Sequence, residues 1–333
     1  MTFLKAEKEA EKMDKLIEIE NLTITDKTNG RVIASGISFE LRKGEIMGFV
    51  GESGSGKTLS MKTVVNLLPE NLEYSCDKFT VLGRDYKTIS KGEKKKLIGA
   101  KIGLVPQNTV FYLHPMFKIK SQIADGYMLY NKKNKAEGLE RAREKLKTVG
   151  FDNPDRILEM YPWQLSGGMR QRVNIAIAMM NDPEIIIADE PTTALDSTLQ
   201  AQVMDLFKDI NEKLGVSIVV ISHDLGVIKK YCHRIAVMYA GQILEEAETS
   251  ALFEKPMHPY TRALISVIPS LNIKKDERLM EIPGFVPEKY RERKECIFKR
   301  RCPEACGVCE GAVKETRLDG HYFKCSKYCG GGD

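Results

Sequence analysis

No stretch of this 333-residue chain comes near the run of about 18 apolar residues that a membrane-crossing helix needs, so no segment is expected to span a bilayer as a helix. Internal repeats and low-complexity tracts are also missing, which argues against a solenoid or a linker-like chain. Residues 1–15 form a charged N-terminal extension, dense in Lys and Glu, without the apolar centre of a secretory signal; cytoplasmic residence is the expectation. Net charge is only +5. The five lysines from Lys91 to Lys101 have only Tyr86 near them, whereas a nucleic-acid groove would interleave such charges with aromatics; no nucleic-acid partner is expected. Aromatic residues are absent between Asn21 and Gly36. What remains is the composition of a soluble globular protein, 42% hydrophobic and 29% charged, long enough for one large domain with an appendage.

Against that plain background three stretches carry chemistry. Gly51-Glu52-Ser53-Gly54-Ser55-Gly56-Lys57-Thr58 fits the phosphate-loop pattern, between an apolar run, Ile46 to Val50, and a helix-periodic one, Thr58 to Leu68. Gly54 and Gly56 allow consecutive N–H groups to turn onto an anion, and the following helix N-terminus adds partial positive charge. Lys57 is placed to reach the β- and γ-phosphates of ATP, and the Thr58 hydroxyl to ligate Mg²⁺. Glu184 to Ala188 reads as a buried parallel strand that ends in Asp189-Glu190. Asp189 suits Mg²⁺, and Glu190 is free to polarise the attacking water. Leu165-Ser166-Gly167-Gly168-Met169-Arg170-Gln171 opens another helix and offers a Ser hydroxyl and Gly amides as a second phosphate cradle.

In this order the three stretches resemble the ATP-binding subunits of ABC transporters. The resemblance implies an ATP hydrolase working in pairs, in which Ser166, Gly167 and Gly168 of one protomer cap the ATP held by the loop of another. Val105-Pro106-Gln107-Asn108 resembles the family's glutamine loop, so Gln107 would touch Mg²⁺ or the lytic water. Ser222-His223-Asp224 resembles the switch histidine, which gives His223 the γ-phosphate and the orientation of Glu190. Pro191 to Asp196 resembles the segment coupling the two sites, with Asp196 also suited to cap a helix. The family places an aromatic residue against adenine; here Arg31 is the candidate to stack instead.

The implied fold class is α/β: a P-loop NTPase with a RecA-like core, an antiparallel β-layer and a helical subdomain, followed by a small Cys-rich extension. Leu16 to Thr25 and the run through Ile37, Phe39 and Leu41 alternate as strands of the β-layer. Residues 16–255 would form the ATPase domain, with the helical subdomain at about 111–173. Leu199, Val203, Leu206, Phe207, Ile210 and Leu214 fall on one helix face, and Ile235 to Tyr239 with Ile243 to Glu246 read as a closing pair.

Residues 256–333 narrow the resemblance. His258-Pro259-Tyr260-Thr261-Arg262-Ala263-Leu264 and Ile282-Pro283-Gly284 resemble the C-terminal extension of importers of the oligopeptide, dipeptide and nickel class. That implies a second ATPase subunit, identical or related, two transmembrane permease subunits and, indirectly, an extracellular substrate-binding protein. The chain would lie on the cytoplasmic face of the membrane, with the region around Leu113-His114-Pro115, Phe111 and Tyr112 meeting the permease. Nickel chelates or metallophores stand as alternative cargo, and a soluble non-transport ATPase as an alternative role. Six of eight cysteines crowd between Cys296 and Cys329, and in a reducing compartment such density argues for metal. Cys296, Cys302, Cys309 and Cys325 match the family's spacing for a [4Fe–4S] cluster, one thiolate per iron. Zinc is the alternative, through Cys306-x2-Cys309 and Cys325-x3-Cys329. Cys76 and Cys232 are isolated and read as packing residues.

Overall fold

The computed structural model describes residues 15–107, 112–193, 195–268, 282–286 and 295–328. The charged segment at 1–14, the run Asn108 to Phe111 and Cys329 therefore lie outside the described residues. The chain divides into two compact units, one of residues 1–16, 41–46 and 81–221 and the other of residues 17–40, 47–80 and 222–333.

The first unit is built on three parallel strands, Ile102–Val105, Ile185–Asp189 and Ser217–Ser222, paired in register Ile102 to Ile185 to Ser217. The last two are buried along their whole length, as continuous apolar runs in a parallel sheet require. Helix starts follow local chemistry. Ser90 with Glu93 and Asn134 with Glu137 form reciprocal capping boxes for the helices Lys91–Lys101 and Lys135–Thr148. Asp196 caps Ser197–Leu214, which ends on Gly215 in the left-handed region (φ 68°). The buried face of that helix is Val203, Leu206, Phe207 and Ile210, joined by Met204 and Asn211. Leu199, at the start of the expected stripe, is half-buried against Gly168, and Leu214 at its end is exposed, because the periodic pattern outlasts the part of the helix that packs.

In the second unit the strands Lys15–Asp26 and Arg31–Arg42 belong to an antiparallel layer, where Leu72–Ser75 pairs with the first of them, Thr23 opposite Ser75. A second sheet carries Ile46–Val50 parallel to Arg234–Tyr239, which pairs antiparallel with Gln242–Glu248 across a bulge at Val237 and Met238. The expected closing pair is thus present. Its free edge is taken by a C-terminal hairpin, Glu315–Leu318 and His321–Lys324, with Phe323 opposite Glu245. Among the described residues no helix is long and apolar enough to cross a membrane.

Candidate functional site

The strand Ile46–Val50 is wholly buried and runs into the glycine-rich turn that opens the helix Lys57–Val64. That helix is shorter than the pattern to Leu68 predicts; Asn66 takes a left-handed φ of 52° and breaks it. Gly51 has φ 151°, and a Cβ there would stand 2.0 Å from the Met238 carbonyl oxygen, so backbone contact alone dictates glycine. Gly56 adopts φ 95° at the helix N-cap, a conformation that L side chains rarely take. Ser53 and Gly54 are exposed at the tip, Ser55 is buried, and Thr58 stands in the first helical turn.

The Lys57 ammonium is buried and folds back over this loop, donating to Gly51 O (2.7 Å), Glu52 O (3.0 Å) and Ser55 Oγ (3.2 Å). A desolvated ammonium held by carbonyl dipoles at the mouth of a helix N-terminus is chemistry for a polyanion.

In the first unit Asp189 is the buried last residue of its strand. Glu190 follows with a left-handed φ of 47°, its N–H donated to Ile221 O at 2.9 Å. Its carboxylate Oε2 accepts from Gln107 Nε2 (2.8 Å) and from Thr193 Oγ1 (2.9 Å). A non-glycine residue in this region is uncommon and here aims a carboxylate that two neutral donors hold. Gln107 is thus joined to Glu190. Thr193 also holds this carboxylate, and no local pattern sets it apart from the rest of Pro191 to Asp196.

Ser166 caps the helix Gly167–Ala178, its Oγ accepting from Met169 N–H at 3.2 Å, and both Ser166 and Gly167 are exposed. Gly168 is buried; a Cβ there would meet Leu199 Cδ2 at 3.0 Å. Asp196 Oδ1 accepts from Leu199 N–H (2.9 Å). His223, in the second unit, is exposed between the strand Ser217–Ser222 and Asp224, which caps the next helix. Arg31 is exposed at the start of its strand. Tyr112, Met116 and Phe117 are 47%, 75% and 55% exposed, so Tyr112 is not a core residue.

Of the cysteines, Cys309 and Cys325 are buried, Cys296 and Cys302 half-buried, and Cys306 exposed with its Sγ 3.9 Å from that of Cys309. Burial pushes the Cys296 thiol up to about 11, with Cys309, Cys325 and Cys302 adding to the effect. Cys302 is raised by burial and, further, by Glu304, Cys309 and Cys325. The four thiols therefore lie within electrostatic reach of one another, a donor set of the right chemistry for an iron–sulfur cluster. Among the described residues, however, no group of three or more His, Cys, Asp or Glu is assembled as an ion-holding site. Cys232 packs under Gly48, in line with a packing role.

A profile for ABC transporters matches residues 34–193, and one for the C-terminal region of oligopeptide/dipeptide transporters matches residues 244–309. The chain is 39% identical over 291 residues to the dipeptide transport ATP-binding protein DppD of Escherichia coli, covering 87% of this chain and 89% of that protein. It is 39% identical over 300 residues to the oligopeptide transport ATP-binding protein OppD of Bacillus subtilis, at 89% and 84% coverage. Among solved structures it is similar to the dimeric bacterial ABC transporter cassette MJ0796, with 30% identity and a TM-score of 0.62 over 70% of this chain and 98% of that one.

Proposed function

Since the chain belongs to the ATP-binding subunits of ABC transporters, in the branch with the oligopeptide/dipeptide C-terminal region, we propose that it hydrolyses ATP to power import of dipeptides or oligopeptides. The observation that carries the reading is the phosphate loop, where a buried ammonium and a helix N-terminus face the same turn. In this reading Lys57 and the amides from Ser53 to Gly56 hold the phosphates. Thr58, Asp189 and Gln107 would hold Mg²⁺, which would neutralise phosphate charge. Glu190, oriented by Gln107 and Thr193, accepts the proton of the attacking water, and His223 contacts the γ-phosphate.

Ser166, Gly167 and Gly168 cap the nucleotide of a second ATPase subunit in a head-to-tail sandwich dimer, with Asp196 beside them; the dimeric cassette neighbour supports this. Two permease subunits dock on the exposed apolar face of Tyr112, Met116 and Phe117, so the chain sits peripherally on the cytoplasmic side of the membrane, and cargo comes from an extracellular binding protein. Peptides are favoured over nickel chelates, metallophores or a non-transport role because the C-terminal region and the named relatives agree. Cys296, Cys302, Cys309 and Cys325 would hold a [4Fe–4S] cluster, with zinc as the alternative occupant; the density of cysteines in this segment is what supports a shared group.

Glu190→Gln tests the core of this. It keeps ATP binding but lowers turnover by about 10²–10⁴, the range of general-base help. A variant that hydrolyses at the parent rate removes Glu190 from the reaction.

A further inference from the structure

Glu52 is the second residue of the phosphate loop, and every polar group it owns is held. Its N–H is donated to the Tyr260 hydroxyl (3.1 Å), and its carbonyl accepts from Lys57 Nζ (3.0 Å). Its carboxylate accepts from Arg301 Nη1 at 3.0 and 2.9 Å. Two of these three partners, Tyr260 and Arg301, come from beyond residue 255, in the extension rather than in the ATPase consensus.

Arg301 is itself built in. Its side chain is 6% exposed, Nε donates to Pro283 O (2.8 Å), Nη2 to Ile282 O (3.0 Å), and the guanidinium lies 5.7 Å from the centre of the Tyr239 ring. It sits on the single turn Lys299–Arg301, between Cys296 and Cys302, where Cys296 N–H is donated to Cys309 O and Cys302 N–H to Lys299 O. Phe298, one turn earlier and fully buried, packs its ring 5.3 Å from Tyr239 and 5.2 Å from Tyr260. Guanidinium, aromatic wedge and cysteines thus form one rigid piece.

We propose that Arg301 is a positioning residue for ATP binding, through which the cysteine-bearing extension fixes the conformation of the phosphate loop at Glu52. The inference rests on residues 51–58 being the ATP phosphate site. A guanidinium on a carboxylate fixes orientation as well as charge, and a loop ordered beforehand binds its anion without first losing conformational freedom. Its removal weakens ground-state binding and leaves the chemical step in place, so KM for ATP carries the effect rather than kcat.

The test uses the full-length chain, with affinity for a fluorescent ATP analogue, steady-state KM and kcat, and thermal midpoint measured together. Arg301→Ala and Glu52→Ala each weaken ATP by about tenfold with kcat within about twofold of the parent, and the double variant is no weaker than either single one, as expected for one shared interaction. Arg301→Lys recovers part of the loss, since it restores the charge without the forked contacts to Ile282 and Pro283. Unchanged affinity in a folded Arg301→Ala protein, or losses that simply add in the double variant, overturns the proposal. Should Arg301→Ala not fold, Glu52→Gln decides, because it removes only the charge: parent affinity there overturns the proposal and weakened affinity supports it. Lys57→Ala separates this from the underlying reading. If that variant binds ATP as the parent does, the phosphate-site assignment fails first.

Discussion

Acidification from pH 7 to pH 4 removes a defined part of the stability of this protein through one side chain, His258. The imidazole is fully buried, its Nδ1 accepts the Tyr260 N–H at 3.0 Å, and Nε2 has no hydrogen-bond partner among the described residues. Burial drives its pKa from 6.5 down to about 4, against the pull of Glu245 and Glu304 and with help from Arg262. An accepting Nδ1 requires the neutral ring, so geometry and burial agree. Above pH 6.5 neither the folded nor the unfolded chain protonates this ring, and its contribution to stability is fully present. Between 6.5 and 4 the unfolded chain takes up the proton and the folded one does not, so stability falls with pH and the loss is complete below about 4. The displacement is worth about 3 kcal/mol, or about 6 °C of thermal midpoint in a chain of this size. His258→Asn keeps an oxygen that can accept the Tyr260 N–H at the helix N-cap but does not titrate. Thermal midpoints of parent and variant at pH 7, 6, 5 and 4 isolate the histidine, since the carboxylates titrate alike in both. The parent is expected to lose about 6 °C more than the variant across that window. Parallel curves would show that the ring protonates in the folded state and refute the argument.

Two further outcomes follow from the proposed assembly and metal site. In mixed dimers carrying Gly168→Asp in one protomer only, turnover at the site capped by that protomer is lost, while the other site keeps its signature; Lys57→Ala in the same protomer leaves only the capped site to be measured, Lys57→Ala in the partner leaves only the other, and equal rates in the two dimers would sink the sandwich dimer. Protein purified without oxygen should contain about four irons and about four acid-labile sulfides per chain. Zinc with no sulfide reverses the choice of metal.

The phosphate loop and the acidic strand end were legible because each is a local pattern whose neighbours are fixed by backbone geometry. An apolar run before residue 51 and a periodic one after residue 56 leave few alternatives to strand, turn and helix. The run to Asp189 was equally plain, since a short β-branched apolar run bounded by polar residues suits a parallel strand buried on both faces. Illegible were the parts that depend on distance along the chain. Glu52 and Arg301 are 249 residues apart, and although Arg301 with Phe298 and Ala305 fits the family's cysteine segment, nothing in the sequence joins it to a position of the phosphate loop. Thr193 was hidden for a different reason: its hydroxyl matters only because Glu190 takes a positive φ that turns the carboxylate back toward it.

The C-terminal hairpin shows why the extension is not a detachable ornament of the second unit. Glu245 is completely buried on the strand Gln242–Glu248, where an isolated carboxylate would be prohibitively expensive. It is tolerated because Met257 N–H and His258 N–H donate to it at 2.7 and 2.8 Å, and because His321 Nε2 lies 2.6 Å away. All three partners lie beyond residue 255, and the last arrives on the hairpin that covers the strand's open edge. An uncovered edge would also present a row of unpaired backbone groups to other chains. The same segment therefore satisfies a buried charge, closes a sheet and holds the loop at Glu52. A sequence that placed Glu245 inside the sheet presupposes the extension, and the oligopeptide/dipeptide profile, which begins at residue 244, already includes that strand, so the residues beyond 255 are not an independent core.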